Sequence, residues 1–237
     1  SRDFFLLERN DVNVIYKHMI QLIQEKLPRY VKASAYDIQV LTPMRKGSLG
    51  CETLNGILQR YLNPADAGKK EHISGDTVYR EGDKVMQVKN NYQLEWEILG
   101  RYKIPVDKGV GVFNGDTGIM TEINEFAETA EVEFEDGRFA VYSFKQLEEL
   151  ELAYCLSVHK SQGSEYPVVI MPIAGGAPQL MTRNLLYTAV TRAREQVIML
   201  GSSKCIYDMV DNNQIRHRYS ALKCLLMELD TIVLNGS

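Results

Sequence analysis

Val158–Val169 (VHKSQGSEYPVV) sets a histidine, a lysine, a serine, a glutamine, a glycine and a glutamate between two apolar runs. That mixture suits phosphate chemistry. A cation and a hydroxyl can meet phosphate oxygens, and a glycine lets backbone approach them closely. α/β proteins bind ligands in such loops, at the carboxyl ends of parallel strands. The alternative is an ordinary polar connection with no ligand. A second stretch, Asn184–Glu195 (NLLYTAVTRARE), closes on Arg192 and Arg194. A guanidinium fork matches phosphate oxygens, although two arginines near a helix C-terminus also offset its dipole, worth about 0.3–1 kcal/mol each. A third, Gln39–Asn55 (QVLTPMRKGSLGCETLN), runs from β-rich residues through a glycine-containing loop with Arg45 and Lys46 into a helical pattern.

Other chemistries find less support. Cys51, Cys155, Cys205 and Cys224 form no CxxC pair, and His18, His72, His159 and His217 make no HExxH or other metal-ligand spacing. The cysteines read as buried free thiols, and no protein-bound structural metal is expected. No G-x-x-x-x-G-K-[ST] phosphate loop and no Asp-Glu metal box of the Walker B kind occurs. Gly68-Lys69-Lys70 fails as a phosphate loop because Asn63 stands where its first glycine belongs.

Net charge is −4, which on its face disfavours a nucleic-acid partner. The charge is unevenly spread, however. Glu122–Glu151 holds ten acids and two bases, so the rest of the chain is +4 and can offer a basic groove. No apolar run approaches the ~18 residues that span a bilayer, and no charged-then-apolar leader opens the chain, so a cytoplasmic protein is expected. The opening Ser1 reads as the start of a piece of a longer chain.

These stretches need elements to position them. SRDFFLL is strand-like. Apolar residues at Val12, Ile15, Met19, Leu22 or Ile23, and Leu27 predict an amphipathic helix, N-capped by Asn10 or Asp11 and ended by Pro28. Ile38–Thr42 predicts a strand, and Leu54, Ile57, Leu58, Tyr61 and Leu62 a helix. Asn63–Gly75, rich in Pro, Gly and charge, predicts a linker. From about Asp76 to Leu150 the runs DKVMQV, DTGIMTEI, TAEVEF and RFAVYSF, with Asp136-Gly137 at a turn, predict a small antiparallel β-domain. Within it Asn91–Val110, which carries Trp96, reads as an irregular arm. Then LAYCLSV, VVIMPI and QVIMLG predict strands and Arg183–Arg194 a helix whose inward face is Leu186, Ala189, Val190 and Ala193. The expected fold class is α/β: a parallel-sheet domain over 1–64 and 151–237, interrupted by a small β-domain over 65–150.

In this order the motifs resemble the RecD-like branch of superfamily-1 DNA helicases. VHKSQGSE and YTAVTRAR are similar to that superfamily's last two motifs. QVLTPMRKGSLGCETLN is similar to the strand-loop-helix that opens its second motor domain. GDKVMQVKNNY (Gly82–Tyr92) and VFNGDTG (Val112–Gly118) resemble its inserted Src-homology-3-like barrel.

The resemblance implies a RecA-like second motor domain carrying that barrel, in an enzyme that uses ATP and Mg²⁺ to unwind DNA, with 5′ to 3′ polarity. It implies Arg192 as the arginine finger on the γ-phosphate. Gly163 would lie near the phosphate, Glu165 toward the ribose, and Arg45 or Lys46 would be a second phosphate sensor. His159, Lys160 and Ser161 would face the DNA track or couple it to the nucleotide. Lys84, Lys89, Asn90, Asn91, Tyr92, Phe113 and Asn114 are the barrel's candidate contacts to single-stranded DNA. Tyr92 and Phe113 have a core role as the alternative, and Asn114-Gly115 a turn. The implied partners are single-stranded DNA, an N-terminal motor domain of the same polypeptide and, in one variant, companion subunits of a helicase–nuclease complex whose alpha subunit this would be. The rival reading is a nucleic-acid-binding accessory module that does not hydrolyse ATP.

Overall fold

The computed structural model describes residues 3–31 and 34–213; His217 and Cys224 lie outside the described residues. In chain order the first part holds β1 (Phe4–Glu8), α1 (Val12–Gln21), α2 (Leu27–Val31), β2 (Ile38–Thr42) and α3 (Cys51–Leu62). The middle holds β3 (Glu71–Ser74), β4 (Thr77–Arg80), β5 (Lys84–Gln87), β6 (Asn91–Leu99), β7 (Pro105–Val112), β8 (Thr117–Asn124), β9 (Thr129–Phe134), β10 (Arg138–Ser143) and β11 (Leu150–Leu152). The last part holds β12 (Cys155–Ser157), β13 (Tyr166–Ile173), α4 (Arg183–Val190), β14 (Ala193–Gly201) and α5 (Ser203–Asp211).

Five strands form a parallel sheet in the order β1-β14-β13-β2-β12. Its centre reads as continuous apolar sequence because both faces are covered: Val168, Val169, Ile170 and Met171 are fully buried. The middle of the chain builds a seven-stranded antiparallel sheet, β11-β5-β8-β9-β10-β6-β7, beside the β3-β4 hairpin. The α/β class and the antiparallel insert are as the patterning predicts.

A buried polar junction ties the two sheets together. The Asp83 carboxylate accepts from Gln59 Nε2 (2.6 Å), Asn63 Nδ2 (2.8 Å), the Tyr154 hydroxyl (2.9 Å) and the Arg80 backbone N–H (2.7 Å). Beside it Lys84 Nζ donates to Tyr36 O (2.7 Å) and Gln39 Oε1 (3.0 Å). Every one of these groups would carry a large desolvation cost if left unpaired, so the network fixes one orientation of the insert on the parallel sheet.

Four expectations about elements are corrected. Pro28 does not end the first helix. Asp11 caps α1, accepting from Val14 N at 3.0 Å; a π-helical turn over Leu22–Lys26 follows, and α2 carries on through Pro28. Pro is tolerated there because it falls in the first turn of α2, and the wide turn buries Leu22 and Ile23 together. Asn63–Gly75 is only partly a linker: Asn63 is buried in the junction, Glu71–Ser74 is strand β3, and Gln59 rather than Tyr61 joins the buried face of α3.

Asn91–Val110 is not irregular either. It forms most of the β6-β7 hairpin, in which Trp96 lies against Gly109, a position where any Cβ would collide with the indole. Its long exposed faces lack a clean alternation. Finally, α4 stops at Val190. Val190 and Thr191 are β-branched, and the chain from Ala193 is taken by β14, which pairs Ala193 with Tyr166. Leu185, not Leu186, is the buried leucine of α4.

Candidate functional site

The connection between β12 and β13 determines where the chemistry sits. Both strands run parallel to β2, so His159–Glu165 must descend from the carboxyl edge of the sheet to its amino edge. Val40 pairs with Ile170, which puts Thr42 level with Pro172; Tyr166 lies six residues back, roughly 20 Å at about 3.3 Å per residue. The fully buried Ser161 pins this descent by donating to Val158 O at 2.8 Å. Gly163 turns it with φ +91° and has no atom within 4 Å of an added Cβ, so its backbone is open to a ligand.

At the amino edge stands Arg192, in the turn between α4 and β14. Its guanidinium donates to Ser164 O (3.2 Å), Thr188 O (3.3 Å) and the Thr191 hydroxyl (3.4 Å). Its own carbonyl accepts from Tyr166 N at 2.8 Å. Among the described residues Arg192 forms no ion pair. A half-buried cation held by neutral oxygens keeps unused charge, and an incoming phosphate would complete it. Exposed Glu165 lies on the same edge. Arg194 is exposed on β14 rather than on a helix with Arg192.

The carboxyl edge holds a different set. Arg45, Lys46, Cys51, Glu52, Glu151 and Lys160 line a cleft of about 600 Å³ beside the N-terminus of α3. Arg45 pairs with Glu52 (3.0 Å) and Glu151 (3.3 Å), and Lys160 pairs with Glu151 (2.7 Å). The hydrogen bond that Arg45 donates to Glu52, and the charge of Glu151, raise the Arg45 pKa. Gly50 is required here because an added Cβ would strike the Lys46 and Arg45 backbone at 2.5–2.6 Å. Arg45 and Lys46, the expected second phosphate sensors, are therefore grouped with Lys160 at the end of the sheet opposite Arg192. Exposed His159 opens on a second cleft with Gln162, Thr182, Asn184 and Thr188.

On the antiparallel sheet, four of the seven candidates come together. Exposed Tyr92 and Phe113 meet edge to face with ring centroids 5.7 Å apart; Asn90 Nδ2 donates to the Tyr92 hydroxyl (3.3 Å), and its Oδ1 accepts from Asn114 N (2.9 Å). Lys89 is exposed and paired with Glu148 at 2.8 Å. Asn91 instead braces its own strand, donating to Glu149 (3.0 Å) and accepting from Leu94 N (3.0 Å).

Lys84 and Ser161, expected among the strand-facing or coupling residues, are both buried. Lys84 is enclosed in the polar junction, where burial lowers its pKa to about 8, and Ser161 has no exposed surface. Glu151, which joins Arg45 and Lys160 in the carboxyl-edge cleft, is the residue that sequence reasoning missed. It lies at the end of the acidic run and reads there as bulk charge.

Comparison with known proteins points the same way. A family model described as the ATP-dependent RecD-like DNA helicase SH3 domain matches residues 54–134, and one described as the UvrD-like helicase C-terminal domain matches 152–200. The chain is 37% identical over 166 residues to the ATP-dependent RecD2 DNA helicase of Deinococcus radiodurans, covering 70% of this chain and 20% of that protein. It is 25% identical over 206 residues to the RecBCD enzyme subunit RecD of Mycolicibacterium smegmatis, covering 86% of this chain and 32% of that one. The chain thus spans between a fifth and a third of the length of these two relatives.

Proposed function

We propose, from the premise that this chain belongs to the RecD-like helicases, that it forms the second motor domain of an ATP-driven DNA helicase, with the antiparallel insert as a single-strand-binding barrel. The division into 1–64 and 151–237 around an inserted 65–150 goes with this reading. The observation that carries it is Arg192, a guanidinium held by carbonyls beside the open Gly163 backbone and, among the described residues, in no ion pair with an acid.

In this reading Arg192 reaches the γ-phosphate of an ATP whose triphosphate and Mg²⁺ are held by a phosphate loop on a first motor domain of the same polypeptide. The guanidinium stabilises charge on the transferring phosphoryl group, and it does so only when the cleft between the domains closes. Gly163 and Glu165 flank the nucleotide. His159 and Lys160 begin the same loop at the other edge of the sheet, where Arg45, Lys46 and Lys160 meet strand phosphates, while Tyr92 and Phe113 on the antiparallel sheet stack bases. One connection therefore touches both ligands and can pass movement between them. RecD of the M. smegmatis relative is a RecBCD subunit, and companion subunits are a possible setting for this chain too.

Replacing Arg192 by Ala in the full-length protein is expected to lower DNA-stimulated ATP turnover by roughly 10³-fold with single-strand binding retained. Replacing exposed Arg194 should leave turnover near wild type. Full turnover in Arg192→Ala would overturn the assignment.

A further inference from the structure

Cys51 and Cys155 face each other across the wall of the carboxyl-edge cleft. Cys155 opens β12, and its backbone is clamped by Asn55 of α3, whose Oδ1 accepts from Cys155 N (2.7 Å) and whose Nδ2 donates to Cys155 O (3.0 Å). Cys51 stands four residues before Asn55, one helical turn along the same face, so the clamp that holds Asn55 on β12 also holds Cys51 over it. Each thiol shifts the ionisation of the other, Cys51 downward and Cys155 upward. Nothing in the nucleotide or strand chemistry described above uses either of them.

We propose that Cys51 and Cys155 form a peroxide-sensitive thiol pair, with Cys51 the residue attacked first and Cys155 the one that resolves it into a disulfide.

The division of roles follows from their surroundings. Cys51 is the first residue of α3, at the positive end of the helix dipole, which favours an anion; it is only half-buried and borders an open cleft. The neighbouring Cys155 thiol and the nearby Lys160 ammonium lower its pKa. Cys155 is buried, and burial raises its thiol pKa, so it is shielded from an oxidant in solution.

The chemistry balances with a hydroperoxide as oxidant. The Cys51 thiolate attacks the peroxide O–O bond, gaining one oxygen as a sulfenic acid and releasing hydroxide or alkoxide. The Cys155 sulfur then attacks the Cys51 sulfur, its proton leaving with the sulfenic oxygen as water, and the S–S bond forms. Sulfur is oxidised by two electrons in total and the peroxide is reduced by two. The product ties the first turn of α3, which carries Glu52 and so one anchor of Arg45, to β12.

The test is peptide mapping of the full-length protein after treatment with hydrogen peroxide, without reduction. Expected is a linked pair of peptides containing Cys51 and Cys155 that dithiothreitol separates, with Cys51 losing reactivity to a thiol label roughly tenfold faster than half-buried Cys205. In Cys155→Ser the same treatment should leave a Cys51 sulfenic acid that dimedone captures, and in Cys51→Ser no link to Cys155 should form. The proposal is overturned if the folded wild-type protein yields no 51–155 link, or if Cys51 reacts no faster than Cys205.

Discussion

Arg138, in the antiparallel sheet, and Arg192, at the amino edge of the parallel sheet, are both half-buried, yet their surroundings differ in kind. Arg138 donates to Asp116 (2.8 Å) and Asp136 (2.6 Å) and to Gly111 O (3.1 Å), and its guanidinium lies over the rings of Trp96 (5.6 Å) and Phe134 (5.4 Å). Its charge is fully answered by its own chain. Arg192 has two carbonyls and a hydroxyl. Arg138 is neutralised by acids within the fold, whereas Arg192, oriented by neutral oxygens, is not. The number of hydrogen bonds does not separate the two cases; the charge of the acceptors does.

The contrast can be broken at several points. The largest effect is expected at Arg138 itself: Arg138→Ala leaves Asp116 and Asp136 without their cation and should lower the unfolding free energy by about 3 kcal/mol. A loss under about 1 kcal/mol in denaturant unfolding would mean that this arginine, too, is not held by the fold.

Lys84 sharpens the comparison, as a cation that the fold encloses without any ion pair to an acid among the described residues. Its pKa falls from 10.5 to about 8 when folded. Between these values the unfolded chain binds the proton more tightly, so stability rises with pH through that window. Relative to Lys84→Met, the wild-type chain should gain up to about 3 kcal/mol between pH 8 and 10.5, and no change below pH 8. Parallel pH profiles for the two would show that Lys84 is not desolvated.

Smaller effects belong to surfaces. Tyr92→Ala and Phe113→Ala in the full-length protein should each weaken single-strand binding by about 1–3 kcal/mol, with a steep salt dependence remaining from the lysines and arginines. Unchanged binding in both variants would move the strand off this face. Smallest is the cap of α1: Asp11→Ala removes the acceptor for Val14 N and should cost about 1 kcal/mol in thermal or denaturant unfolding, without altering ligand binding.

Much of this was legible in the sequence because the signals were periodic or chemically specific. The apolar run of β13 gave a central strand, Asp136-Gly137 gave the β9-β10 hairpin, and the residues of His159–Glu165 and Arg192 stood out by type. What could not be read depends on pairings distant in sequence. Gln59, Asn63 and Lys84 read as surface residues, because only the fold brings them to Asp83, Tyr36 and Gln39. The end of α4 at Val190 was hidden because helix and strand meet within three residues, and the competing claim on Ala193 comes from Tyr166. Arg45 and Arg192 both read as phosphate binders, Arg192 as the finger and Arg45 or Lys46 as a second sensor. The parallel register alone places them at opposite edges of the sheet.

The central claim is that Arg192 is reserved for the charge that develops on a transferring phosphate. The direct measurement is the affinity of the full-length protein for ADP alone and for ADP with aluminium fluoride, a mimic of the transferring phosphoryl group, in wild type and Arg192→Ala. The account predicts nearly equal ADP affinity in the two proteins and a loss for the mimic of roughly 10³-fold, parallel to the loss in turnover. Equal affinity of both proteins for the mimic would contradict it.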